Sequence, residues 1–153
     1  ILSKYPLANA KTHLLPSDNS KRDEPRVLAE ATVKWPGGKD FHFCSTHLEA
    51  FNKKSRTLQM QEINQIAGKS SIPFIVAGDF NAFEGSEVIN ILDQQFNRTC
   101  DKCPNTFDEE GERGAIDFIA FRKNDPFVTK SHQVIPEKTA SDHMPVVATI
   151  EIR

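Results

Sequence analysis

The run Ile72-Pro73-Phe74-Ile75-Val76-Ala77 has no polar break and stops on Gly78-Asp79-Phe80-Asn81. A segment this short and this apolar reads as a strand buried on both faces. Such a strand constrains the whole chain, because layers must exist on either side to cover it. Gly78 allows the backbone a tight turn or a close approach to a ligand. Asp79 and Asn81 lie two apart, so in extended chain both side chains lean to the same side. A carboxylate and an amide aimed together from a buried strand end suit a hard cation, a phosphate oxygen or an attacking water. An Asx turn is the plain structural alternative, and this tetrapeptide alone does not exclude it.

The 153 residues are enough for one sizeable core, and a net charge of −2 with mixed signs gives no polyanion-gripping field. No apolar run reaches the length of about 18 residues that a membrane-spanning helix needs. The chain opens on Ile1, and Ile1-Leu2-Ser3-Lys4-Tyr5-Pro6-Leu7 reads as a strand already under way. We therefore expect a single domain over residues 1–153 whose N-terminal part lies outside this chain, either as a preceding segment or as a companion chain.

From Leu15 to Pro25 the residues are polar and turn-forming, which predicts an exposed loop. Val27, Ala29, Ala31, Val33 and Trp35 then alternate with Glu30, Thr32 and Lys34, the pattern of a half-buried strand. Pro36-Gly37-Gly38-Lys39 makes the turn into an antiparallel strand over Phe41–Leu48, which ends on Ser45-Thr46-His47-Leu48. A helix is expected over 54–69, capped by Asn52, with Met60, Ile63, Ile66 and Ala67 on its apolar face. Lys53 and Lys54 read as solvated charges, whereas Arg56 follows the His47 strand end closely enough to share its edge. Residues 83–95 read as a loop entering a short helix with Val88, Ile91 and Leu92 inside.

Residues 97–113 look irregular, and the acidic Asp108, Glu109, Glu110 and Glu112 lack the spacing of a calcium loop, which favours a solvated loop. Ala115–Phe121 is a strand that is apolar except for Asp117; a lone carboxylate there is costly unless paired, so Asp117 is expected to orient a histidine. Ser141-Asp142-His143-Met144-Pro145 leads into an alternating strand over 146–152. Cys44 reads as a core residue. Cys100 and Cys103 form a bare pair in a loop, short of zinc ligands; a disulfide there would fit an extracytoplasmic setting.

His47, Asp79 and Asn81 thus sit at strand ends, Asp117 inside a strand, and Asp142 and His143 at a strand start, and one sheet edge can collect them. Three carboxylates, two imidazoles and an amide, with no serine or cysteine in a nucleophilic setting, suit metal-assisted attack by water. Phosphate esters fit, since their transfer depends mainly on positioning and charge stabilisation.

In this order, Ser-Thr-His47-Leu-Glu, Gly-Asp79-Phe-Asn81-Ala, Ile-Asp117-Phe-Ile and Ser-Asp142-His143-Met-Pro-Val resemble the endonuclease/exonuclease/phosphatase superfamily, the deoxyribonuclease-like metal-dependent phosphoesterases. Arg56 and Gln59 match a common pattern after the histidine motif. The resemblance implies an α/β (α+β) fold, a four-layer α-β-β-α sandwich of two mixed, mainly antiparallel sheets, of which this chain supplies the C-terminal portion. It implies Mg2+, with Mn2+ as a substitute, and hydrolysis of a phosphodiester or phosphomonoester by in-line attack of water. By the same resemblance Asp142, Asp79 and Asn81 would serve the metal. Asp79 would also orient or deprotonate the water, Asn81, His47 and Arg56 would contact the phosphate or leaving group, and His143 would act with Asp117 behind it.

The superfamily's early asparagine and its metal-binding glutamate, usually in a Gln-Glu pair, have no counterpart here; Gln61-Glu62 follows the histidine motif and is read as coincidence. The low charge favours a small phosphorylated molecule or lipid headgroup over nucleic acid as substrate. A nuclease of the same superfamily is the alternative with the same machinery. A non-catalytic module that kept the fold is the alternative of another class, against which stand the six residues retained.

Overall fold

The computed structural model describes residues 1–19, 23–109, 112–137 and 139–153. Its main body is a six-stranded sheet with the spatial order β1-β2-β3-β4-β8-β5. These strands are β1 (Leu7–Leu14), β2 (Val27–Val33), β3 (Phe41–His47), β4 (Phe74–Asp79), β5 (Phe96–Arg98) and β8 (Asp117–Arg122). Only β3 and β4 are parallel, joined through helix α1 (Lys53–Lys69); every other pairing is antiparallel, so the sheet is mixed as expected. A hairpin of β6 (Phe107–Glu109) and β7 (Glu112–Gly114) and a ribbon of β9 (Phe127–Val134) with β10 (Val146–Ile152) are the other strands among the described residues. The second helix, α2, covers Glu87–Gln95.

Period-2 alternation along β4 explains the layering. Phe74 and Val76 face a core that also holds Met60, Ile63 and Ala67 of α1 and Val88, Ile89 and Leu92 of α2. Ile75 faces the opposite way, into a cluster with Phe121 and Phe127 against which Phe41, Phe43, Ile150 and Ile152 pack. Helices therefore lie on one face of the main sheet and the β9–β10 ribbon on the other, giving three of the four layers of the expected sandwich. Asn52 caps α1 by accepting from the backbone N–H groups of Lys54 and Ser55.

Four expectations need correction. Strand β1 starts at Leu7, not Ile1, because the Tyr5 N–H turns back onto Ser3 Oγ and Pro6 has no donor to give a ladder. Strand β2 is buried on both faces: Leu28 is fully buried in the main core, and Glu30 and Thr32 are buried among neighbours such as His13 and His42. Residues 97–113 are not simply irregular, since they hold the end of β5, β6 and part of β7. Asp108, Glu109 and Glu112 thus lie on a hairpin, and Glu110 lies outside the described residues. Strand β9 had no expectation at all. Finally, Gly78 serves a neighbouring strand, as its surroundings show: at φ +151° a Cβ there would stand 1.9 Å from the Thr46 carbonyl oxygen.

Lys53 and Lys54 are exposed as expected, beside Glu87 at 3.5 Å and Asp18 at 4.0 Å. Cys44 is fully buried in the core, which pushes its thiol pKa far up. Cys100 and Cys103 form a disulfide.

Candidate active site

Register brings the chemistry together. His47 at the end of β3 stands opposite Asp79 at the end of β4, and Asp79 stands opposite Asp117 at the start of β8. Because β4 runs parallel to β3 and antiparallel to β8, two ends and one start meet on one sheet edge. Asp117 is 20% exposed and bonded to His143, so it is not a carboxylate left to water.

His143 reaches this edge from the segment before β10. The backbone N–H of Met144 donates to the Thr106 carbonyl at 2.7 Å, and Phe107 and His143 form an isolated β-bridge. Thr106, 1% exposed, also accepts from the Ile116 and Asp117 N–H groups through its hydroxyl, at 3.1 Å each. One buried threonine thus holds both partners of the Asp117–His143 pair, whose Oδ2 and Nδ1 are 2.9 Å apart. The Nε2 atoms of His143 and His47 stand 4.0 Å and 3.3 Å from Asp79 Oδ2.

Asp79 is 14% exposed, and its pKa is raised. Burial is the main cause and the Asp117 charge adds to it, against the Asn81 N–H and the two imidazoles. For His143, burial pushes the pKa down, but the bond to Asp117 and the charges of Asp117, Asp79 and Asp142 outweigh it, so the net shift is upward.

Asn81 departs from the extended geometry expected of it. Its φ is +48°, and its backbone N–H closes an Asx turn on Asp79 Oδ1 at 2.7 Å. Its side-chain N–H donates to the Leu48 carbonyl at 2.9 Å, so the amide stays at the sheet edge. The turn and the functional arrangement therefore coexist. Arg56 donates through Nη1 to the carbonyls of Glu49 and Ala50, at 2.7 and 2.8 Å. Gln59, 1% exposed, accepts from the Glu49 N–H and is a packing partner of that loop.

Arg56, Asn81 and His143 line one cleft of about 670 Å³, whose other walls include Phe51, Phe83 and Phe107. Asp142 is exposed, accepts from the Ser141 hydroxyl at 3.1 Å, and stands outside the closest cluster. Glu62 lies elsewhere, lining a separate cleft with His13, Glu30 and His42.

Asp79, Asp117 and His143 each offer one ligand atom, all within 4.8 Å of one another. Two carboxylates facing each other across a ladder in a half-buried place fit a divalent cation, whose charge would offset their repulsion. The carboxylates of Asp79 and Asp117, and the exposed carboxylate of Asp142, are hard donors at this edge.

Sequence reasoning missed Thr106, Glu49 and the three phenylalanines. Glu49 is fully buried, accepting from the Phe51 and Glu24 N–H groups at 3.0 and 3.1 Å. Its signal was a carboxylate directly after the core residue Leu48. Thr106 carried none, since its partners are distant in sequence.

The sequence profile of the Endonuclease/Exonuclease/phosphatase family matches residues 1–143. The chain belongs to this family. Its members are hydrolases of phosphoester bonds and usually use divalent metals. No curated protein matches the chain. An endonuclease/exonuclease/phosphatase from Bacteroides vulgatus superposes with a TM-score of 0.79 at 22% identity, over 98% of this chain and 67% of its own. A mannosyl-6-phosphatase of Bacteroides thetaiotaomicron gives 0.75 at 19% identity, over 95% and 67%. TDP2 of D. rerio, solved with a single-strand DNA product, gives 0.72 at 19%, over 95% and 68%. These likenesses establish the sandwich fold, and the chain spans about two thirds of each of these structures.

Proposed function

We propose that this chain carries the catalytic edge of a Mg2+-dependent phosphoesterase, with Mn2+ as a substitute ion, acting on a small phosphorylated molecule or lipid headgroup. The observation that carries this reading is the Asp117–His143 pair, held at 2.9 Å by the same edge that presents Asp79 and His47. Magnesium, held by Asp79 and Asp142 with Asn81 nearby, would supply Lewis-acid stabilisation of phosphate charge. The early metal-binding glutamate of the family would come from a segment outside this chain.

Asp79 is the group placed to orient the attacking water and take its proton. Asp117 accepts from His143 Nδ1, which fixes the ring and leaves Nε2 directed toward Asp79 and the reacting centre. With its pKa raised, His143 favours the imidazolium, suited to binding a phosphate oxygen or protonating the leaving group. His47 contacts the same phosphate from the other side of Asp79, while Arg56 and Asn81 hold its remaining oxygens. The Cys100–Cys103 disulfide supports an extracytoplasmic setting.

Hydrolysis of p-nitrophenyl phosphate and bis-p-nitrophenyl phosphate tests the reading. We expect release in Mg2+ or Mn2+ that EDTA abolishes, with the ratio of the two esters separating monoesterase from diesterase. Equal rates in wild type and a His143→Ala variant would remove His143 from the mechanism. Activity on polymeric nucleic acid that falls steeply with salt, without activity on small esters, would favour a nuclease.

A further inference from the structure

The cleft beside the catalytic edge has a wall that the chemistry does not require. Phe83 is two residues beyond Asn81, lines the cleft, and remains 38% exposed. A large apolar side chain on a loop is normally free to turn, but this ring is backed by a glycine. A Cβ at Gly114 would lie 2.5 Å from Phe83 Cδ1 and 2.8 Å from Cε1. Gly114 has no left-handed φ to explain it and sits in strand β7 opposite Phe107, where glycine weakens pairing. What glycine provides there is room for an aromatic ring to lie against the backbone.

Phe107, across the same pair, places its ring 5.1 Å from that of His143, and Phe51 stands 84% exposed at the mouth. Three phenylalanine rings thus line the cleft, and one of them is seated on backbone with part of its surface open. Alkyl chains gain from burial against any apolar wall, whereas a planar ring gains additionally from offset or edge contact with another ring. Asn81 and Phe83 are at most about 7 Å apart along the chain, so a phosphate at one and a ring at the other can belong to one small molecule.

We infer that the substrate is a phosphate ester bearing a planar ring system, which stacks on Phe83. This deepens the phosphoesterase reading and rests on it. The probes are 2-phenylethyl and 2-cyclohexylethyl phosphate, each as monoester and as methyl diester, because their alcohols are of similar acidity and differ mainly in planarity. With the full-length protein and Mg2+, alcohol release should favour the phenyl compound in kcat/KM by roughly tenfold.

In Phe83→Leu, and separately in Gly114→Ala, the ratio should fall toward one, with folding verified by circular dichroism. The glycine variant reports on the seat without itself supplying the stacking ring. Equal rates for the two wild-type substrates, or a preference that survives Phe83→Leu, overturns the stacking inference and leaves the phosphoesterase standing. Absence of metal-dependent release from every ester, the p-nitrophenyl compounds included, overturns both.

Discussion

Replacing Asp117 with Asn should lower the His143 pKa and make the stability loss depend on pH. The Asp117–His143 bond is 2.9 Å long, and the two side chains are 20% and 31% exposed. A hydrogen bond to a charged group contributes roughly 1.5–3 kcal/mol when shielded; partial exposure discounts that to about 1 kcal/mol here. Losing that bond should therefore bring the His143 pKa down. Because the folded pKa lies above the usual imidazole value, the contribution is complete below about pH 6.5 and fades as pH rises through the folded value. Asparagine should therefore cost about 1 kcal/mol at pH 5.5 and clearly less at pH 8.5.

The substitution also changes which proton His143 carries. A carboxylate accepts only, so it keeps the hydrogen on Nδ1; an amide can instead donate to Nδ1 and leave the hydrogen on Nε2, facing Asp79. NMR titration of the His143 ring, with thermal melts at both pH values, reads all of this. A His143 midpoint that does not move, or the same loss of stability at pH 5.5 and 8.5, would refute the reasoning.

Other substitutions separate architecture from chemistry. Gly78→Ala should cost roughly 3 kcal/mol, about 10 °C in melting temperature for a chain of this size, since its Cβ would meet the Thr46 carbonyl at 1.9 Å. Arg122→Ala should cost about 3 kcal/mol by chemical denaturation, and lysine should rescue little. Its guanidinium donates to the carbonyls of Ala67, Ser70 and Ile72 and to Asp125, itself 9% exposed, which the substitution leaves without its main partner. Glu62→Gln should leave the metal dependence of hydrolysis unchanged, because Glu62 shares its cleft with His42, about 17 Å along β3 from His47.

What was legible in the sequence follows from how local each feature is. The buried strand β4, the helix capped by Asn52 and the hairpin of β2 and β3 each carry their signal within a few residues, through apolar runs, caps and Gly-containing turns. Asp117 was legible as a carboxylate needing a partner, because its flanks are apolar. Strand β9 was not, since Thr129, Lys130, Ser131, His132 and Gln133 interrupt its apolar residues. Its existence depends on pairing with β10 and on Phe127 joining Phe121 and Ile75 in a cluster drawn from distant segments. The face of β2 carrying Glu30 failed likewise: alternation marks a polar face, but only tertiary packing reveals that this face is buried.

The same distinction separates the chemistry from its selectivity. Asp79, Asp117 and His47 sit on ladder positions of three adjacent strands, and Thr106 ties His143 to them, so their spacing can change only if the sheet changes. Gly78 tightens this further by seating β4 against the Thr46 carbonyl. Phe51 and Phe83 stand on loops after β3 and β4, and Phe107 on a short hairpin, where side chains can be exchanged at little cost to the core. A fold arranged this way keeps one way of handling phosphate while the walls choose what the phosphate is attached to. Substitutions at the ladder ends should then lower turnover for every ester together. Substitutions at the rings should reorder the esters and leave the melting temperature near that of the wild type. A ring substitution that slowed all esters equally would place that ring in the catalytic apparatus and remove the separation argued here.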